Sequence, residues 1–237
     1  HIRYFKHNDA ADLDKILKTL PPEPGKLVII DGVYSMGGDI APLPEIVRVC
    51  KAHGARLFCD DAHALGVLGN GRGTGAHFGM EKDVDLVMGT FSKSFASVGG
   101  FIAGPKEAVA WIQMFSRPFI FSASLPPANV AAVLACLDVL REEPGRVARL
   151  EANGKRMRTE LRAMGYNIGP SETPIIPIVI GDQFKALKAW KVFFDEGIYA
   201  NVALPPAVTP EFSCLGPVTW PPTPTPSSTG CWMSSTR

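Results

Sequence analysis

A lysine between hydroxyl side chains sits in Gly89-Thr90-Phe91-Ser92-Lys93-Ser94, directly after the apolar run Leu86-Val87-Met88 and shortly before Val98-Gly99-Gly100. Such a pattern presents an amine at the end of a buried strand, where it can form a Schiff base with an aldehyde. A second reactive group stands upstream, where Leu57-Phe58-Cys59 stops abruptly in Asp60-Asp61-Ala62-His63. In open α/β sheets ligands bind outside the carboxyl ends of the strands, so chemistry is expected where such runs stop. A carboxylate held beside an aromatic ring nitrogen keeps that nitrogen protonated, and the resulting pyridinium is an electron sink. Lysine, aspartate and histidine in this arrangement point to pyridoxal phosphate.

The elements that must position these groups read as an α/β chain. Leu27 to Ile30, Leu57 to Cys59 and Leu86 to Met88 are short apolar runs, expected as fully buried strands of a parallel sheet. Between the first two, Ile46, Val47 and Cys50 recur at helical spacing within Leu43 to His53, before a Gly54 stop. Phe101 to Ala103 reads as a further strand and Lys106 to Phe115 as a helix. Pro126 opens a long apolar helix, Ala128 to Leu140, which ends near Pro144-Gly145. From Arg146 the pattern changes to a charged helix, Val147 to Met164. A strand at Ile175 to Ile180, a helix at Phe184 to Glu196 and a strand at Ile198 to Val202 complete a compact α+β unit. There are no internal repeats.

Composition bounds the partners. The 237 residues are 46% hydrophobic, enough for a sizeable core. A net charge of +1 offers no broad electrostatic footprint, which argues against nucleic acid as a partner. Cys50, Cys59, Cys136, Cys214 and Cys231 show no metal-ligand spacing and no even disulfide count. They fit reduced cytosolic thiols and no metal site, and the chain is expected to be cytoplasmic. No run approaches the ~20 apolar residues of a transmembrane segment, and no signal peptide is visible.

Asp31-Gly32-Val33-Tyr34-Ser35-Met36-Gly37-Gly38-Asp39, then Asp60-Asp61-Ala62-His63, then Gly89-Thr90-Phe91-Ser92-Lys93 resemble the α-oxoamine synthases in order, spacing and letters. These are pyridoxal-phosphate enzymes of the aspartate aminotransferase fold, fold type I, and the resemblance runs from His1 to about Pro206. It implies the carboxyl-terminal part of a large cofactor-binding domain with a mostly parallel sheet over 1–144. It further implies a truncated α+β small domain over 145–215.

The resemblance also implies site roles. Lys93 forms the Schiff base and is the acid/base at the substrate α-carbon, and Asp60 pairs with the pyridine nitrogen. His63 and Ser35 face the phenolic oxygen, with His63 assisting the acyl step. Thr90 and Ser92 donate to the phosphate. Ser122 and Ala123, within Phe119-Ile120-Phe121-Ser122-Ala123-Ser124-Leu125-Pro126-Pro127, reach the phosphate of a neighbouring subunit in a homodimer with shared sites. The expected reaction joins an amino acid to an acyl-CoA with loss of coenzyme A and carbon dioxide. The Thr-Phe-Ser-Lys-Ser form is similar to members that use L-serine and a long-chain acyl-CoA, giving 3-ketodihydrosphingosine. Members using glycine or alanine with a shorter acyl-CoA are the alternative.

Plainer readings stand beside these. Asp61 reads as a hydrogen-bonded loop carboxylate, Ser35 as a turn cap among glycines, and His7, His53 and His77 as structural or solvated. His63 alone would be structural, and its place after Asp60 is what raises it.

Both ends depart from the family pattern. The family's glycine-containing phosphate loop and ring-stacking aromatic precede the segment matched by His1. After Leu215 the prolines and small polar residues of 216–237 read as a disordered tail. A reading-frame shift is one hypothesis. With permitted codons and one added C, the neighbouring frame reads RTSHLATHTDPEQHRVLDVFDA, similar to the family's closing strand and helix. An arginine would then follow Leu215, where the family binds the substrate carboxylate. Sequencing the nucleic acid tests this, and the idea fails if no single-base change restores that frame. As it stands, the chain is expected to have little or no activity, leaving an inactive fragment or a dimerisation partner as the other alternative.

Overall fold

The computed structural model describes residues 1–216, and these divide into two compact units, His1–Val33 with Ile40–Val147 and Tyr34–Asp39 with Ala148 onward. The residues 217–237 expected as a tail lie outside the described residues. Gly216, assigned above to that tail, instead closes a strand.

The first unit begins with α1 (Ala10–Lys18), whose N-cap Asp9 accepts from the Asp12 amide at 2.9 Å and whose Leu13 and Leu17 are buried one turn apart. There follow β1 (Leu27–Asp31), α2 (Leu43–Ala52), β2 (Arg56–Asp60), the single turn α3 (Thr74–His77), β3 (Leu86–Thr90) and β4 (Gly100–Ala103). Then come α4 (Lys106–Phe115), α5 (Arg117–Ile120) and α6 (Pro127–Glu142). The strands form one sheet in the order β1-β2-β3-β4, with β1, β2 and β3 parallel and β4 antiparallel to β3. Leu43, Ile46, Val47 and Cys50 of α2 are buried, and the helix packs on β2.

The strands are not fully buried as expected. Val28 and Ile30 of β1 are buried while Leu27 and Ile29 are 52% and 60% exposed. Successive side chains of a strand point to opposite faces, and only one face of β1 is covered among the described residues. His53 likewise has a partner, Asp14 of α1, with Nε2 2.7 Å from Oδ1. Sequence spacing could not show a pair 39 residues apart. His77 lies edge-on to Phe78, with ring centroids 4.8 Å apart.

The second unit holds most of α7 (Gly145–Ala163), then β5 (Ile178–Val179), α8 (Gln183–Asp195), β6 (Asn201–Ala203) and β7 (Cys214–Gly216). Its antiparallel sheet runs β5-β7-β6, with Leu215 of β7 between Ile178 and Val202. Leu161, Ile168, Ile176, Ile178 and Leu215 are its buried core, flanked by Trp190 and Phe193 of α8. Asp182 starts α8 by accepting from the Lys185 amide at 2.8 Å.

The turn between β1 and α2 folds with this second unit. The Gly38 carbonyl accepts from the Glu172 amide at 3.0 Å, the Thr173 amide at 3.1 Å and the Thr173 hydroxyl at 2.9 Å. Gly38 has φ +68°, and a Cβ there would overlap the Ile175 carbonyl oxygen, so both its conformation and its surroundings require glycine.

Candidate active site

β1, β2 and β3 run in the same direction, with Asp31 beside Asp60 and Asp60 beside Met88, so their carboxyl ends open at one edge. The ladder continues one step past the strands, as Gly32 donates to the Asp60 carbonyl and Asp61 to the Met88 carbonyl, both at 2.8 Å. Asp60, at the last position of β2, accepts from the Ala62 amide through Oδ1 at 2.9 Å. That short-range bond orients the carboxylate and leaves its second oxygen for another donor. The carbonyl of Asp61 then accepts from Ala64 at 3.0 Å and Leu65 at 2.9 Å, folding His63 into a tight turn.

The lysine-bearing segment leaves β3 in a second tight turn. Thr90 Oγ1 lies 2.9 Å from Ser92 Oγ, accepts from the Ser92 amide at 3.3 Å and donates to the Gly99 carbonyl at 3.2 Å. Phe91 donates to the same carbonyl at 2.9 Å and Ser97 to the Phe91 carbonyl at 2.8 Å. Lys93 is exposed at the crest, and its carbonyl accepts from Ala96, a residue at φ +47°. Ser94 crosses to the histidine turn, donating to the Leu65 carbonyl at 2.7 Å. A Cβ on Gly66 would come within 2.6 Å of the Ser94 side chain, which is why the two turns can touch.

Electrostatics join the groups. Burial depresses the pKa of the half-buried His63, the Lys93 cation acts in the same direction, and Asp60 opposes them. Burial raises Asp31, reinforced by the charge of Asp60 and opposed by Lys93 and His7. Lys93, Asp60 and His63 therefore share one neighbourhood, with Thr90 and Ser92 on the turn that carries the lysine.

The remaining expected site residues stand on other segments. Ser35 sits in the turn that belongs to the second unit. Ser122 and Ala123 are exposed between α5 and α6, three and two residues before Leu125, whose side chain packs against Gly99. Sequence reading gave no role to Asp31, Ser94 or His7. A carboxylate ending the first apolar run, in parallel with Asp60, was the available signal for Asp31.

The sequence model of the aminotransferase class I and II family matches residues 1–214. The chain belongs to this family. Serine palmitoyltransferase of Bacteriovorax stolpii is 48% identical over 206 residues, covering 86% of this chain and 49% of the relative. 8-Amino-7-oxononanoate synthase of Thermoanaerobacter pseudethanolicus is 42% identical over 206 residues, covering 86% and 52%. The chain thus spans about half the length of the curated relatives it matches. Among solved structures, serine palmitoyltransferase from S. paucimobilis with a bound PLP–myriocin aldimine superposes with a TM-score of 0.90 at 40% identity, over 97% of this chain and 58% of that one. The chain has fold type I of the pyridoxal-phosphate enzymes, and its relatives are acyltransferases of that group. Among the described residues no helix is long and apolar enough to cross a membrane, and no His, Cys, Asp and Glu cluster could hold a metal.

Proposed function

We propose that this chain carries the lysine-bearing part of a pyridoxal-phosphate site that condenses L-serine with a long-chain acyl-CoA. The observation that carries this reading is the shared neighbourhood of Lys93, Asp60 and His63 at the carboxyl ends of parallel strands. Their chemistry fits the cofactor. Lys93 is an exposed amine, Asp60 keeps one carboxylate oxygen beyond the one its turn uses, and Thr90 and Ser92 bring two hydroxyls within 2.9 Å of each other. In this reading Lys93 holds the aldehyde carbon, Asp60 the ring nitrogen, and Thr90 and Ser92 the phosphate. His63 and Ser35 serve the phenolic oxygen.

Pyridoxal phosphate bound there supplies an electron sink for the amino acid's α-carbon. The Lys93 amine takes the α-proton and later returns one. His63, whose charged form burial disfavours, can donate a ring N–H hydrogen bond to the acyl carbonyl oxygen and so polarise it. The new bond joins the α-carbon to the acyl carbon, the thioester C–S bond breaks, and coenzyme A and carbon dioxide leave.

The reading includes a homodimer in which Ser122 and Ala123 serve the neighbouring copy's phosphate. Exposed Trp111 and Phe115 on α4, Phe119 on α5 and Phe121 just after it support a covering partner. It also puts the enzyme in the cytoplasm, on the strength of the free thiols of Cys50, Cys59, Cys136 and Cys214.

The 42% identity to an 8-amino-7-oxononanoate synthase favours one second reading, in which another amino acid meets a shorter acyl-CoA. Product mass spectrometry with L-serine, glycine or L-alanine, each with long and short acyl-CoAs, tests both. A long-chain amino ketone from serine supports this reading. A product formed only from glycine or alanine replaces it with the second, and an untouched thioester in every pairing puts the inactive fragment in place of both.

A further inference from the structure

Asp61 follows the proposed ring-nitrogen ligand and is 3% exposed, a burial that carboxylates seldom reach without dedicated partners. Its Oδ2 accepts from the Thr74 amide at 3.0 Å and its Oδ1 from the Cys59 thiol at 3.4 Å. Two glycines wall it in. A Cβ on Gly32 would overlap Oδ1, and a Cβ on Gly73, at φ +101°, would overlap Oδ2. Its backbone is equally engaged, donating to Met88 of β3 and accepting from Ala64 and Leu65. One residue thereby ties the ends of β2 and β3 to the start of α3, packed against Gly32 just past β1. It stands between Asp60 and His63, and His63 feels the charges of both Lys93 and Asp60.

We propose that Asp61 is a positioning residue, whose buried carboxylate, held by Thr74 and walled by Gly32 and Gly73, fixes the Asp60–His63 turn and so sets where Asp60 and His63 stand relative to Lys93. The proposal deepens the functional reading above and rests on it for the roles of those three groups. Burial raises the Asp61 carboxyl above the usual carboxylate range, with its bonds to Thr74 opposing.

The titration of His63, followed by NMR in the whole chain without added cofactor, reads that geometry. Burial, Lys93 and Asp60 are the influences on it, and all depend on the turn. In Asp61→Ala the His63 midpoint is expected to rise toward that of a free histidine. Asp61→Asn, which keeps an acceptor for the Thr74 amide, should recover most of the parent value. Gly73→Ala, which pushes on the carboxylate from outside, should move His63 in the same direction as the alanine variant. His53, whose ring meets Asp14 of α1, serves as the control in the same spectra. If Asp61→Ala is unfolded, shown by all histidines titrating alike, Gly73→Ala decides. An unchanged His63 midpoint in folded Asp61→Ala or in Gly73→Ala overturns the proposal.

A parallel arm adds pyridoxal phosphate and reduces with borohydride. Capture on Lys93 by the parent, reduced several-fold in Asp61→Ala and restored in Asp61→Asn, supports the proposal. No capture by the parent would refute the functional reading, while the His63 shift would still decide the positioning role.

Discussion

Replacing Gly38 by alanine should destabilise the second unit far more than a glycine's conformation alone explains. A left-handed backbone costs an L-residue about 1–2 kcal/mol. At Gly165, with φ +84° and no atom within 4 Å of a built Cβ, that is the whole effect. At Gly38 the Cβ would also overlap the Ile175 carbonyl oxygen and lie 3.0 Å from its carbon, and a backbone group cannot swing aside as a side-chain tip can. Moving it disturbs the 2.6 Å bond from the Ser171 hydroxyl to Ile175 and the three bonds to the Gly38 carbonyl. Two or three such buried bonds, at about 1 kcal/mol each, bring the total to roughly 3–5 kcal/mol. Native-state amide exchange at Val179 and Ile180, whose N–H groups bond Asn167 and Ser213, is the assay. At 1.4 kcal/mol per tenfold, Gly38→Ala should speed exchange roughly a hundred- to several-thousand-fold and Gly165→Ala about 5- to 30-fold. Equal effects would refute the close approach at Gly38, and with it the anchoring of the turn that carries Ser35.

Three further outcomes follow from the same structure. His63 has a folded pKa below its unfolded value near 6.5, so its contribution to stability is present above pH 6.5 and lost as pH falls through the folded pKa. His63→Gln should flatten that acid-side loss in melting temperature measured against pH. Asp85 accepts from the Leu57 amide and the Arg56 guanidinium, both at 2.8 Å, at the start of β2. Asp85→Ala strands that amide and should cost about 1–3 kcal/mol in urea unfolding. The Cys50 thiol is pushed up to about 11 by burial, so roughly one molecule in a thousand carries the thiolate at pH 8. A disulfide reagent should leave it unmodified in the native protein and reach it on unfolding.

The reactive edge was legible because apolar runs that stop at Lys93 and Asp60 announce strand ends, and the βαβ rhythm orders them in parallel. α4 was legible residue for residue, bounded by Pro105 and by Ser116, which stands before Pro118 in sequence. α1 escaped because its only buried residues are Leu13 and Leu17 among charges. β7 escaped because three residues before a proline-rich stretch carry no period. The alternation in β1 was hidden, since an unbroken apolar run looks alike whether one face is covered or two. The placement of Tyr34–Asp39 with the second unit depends on Gly38 meeting Thr173, 135 residues away, and no local pattern encodes such a meeting. Asp61 read as an ordinary loop carboxylate because its partners Thr74 and Gly73 are brought to it only by the fold.

Lys93 is the group on which the site's chemistry depends, and the direct measurement is covalent capture. The purified chain is mixed with pyridoxal phosphate, its absorbance recorded, then reduced with borohydride, digested and mapped by mass spectrometry beside Lys93→Ala. A visible band that reduction bleaches, with the pyridoxyl mass on Lys93 and none in the variant, is the predicted result. Label spread over exposed lysines, or equal label in Lys93→Ala, would contradict the account.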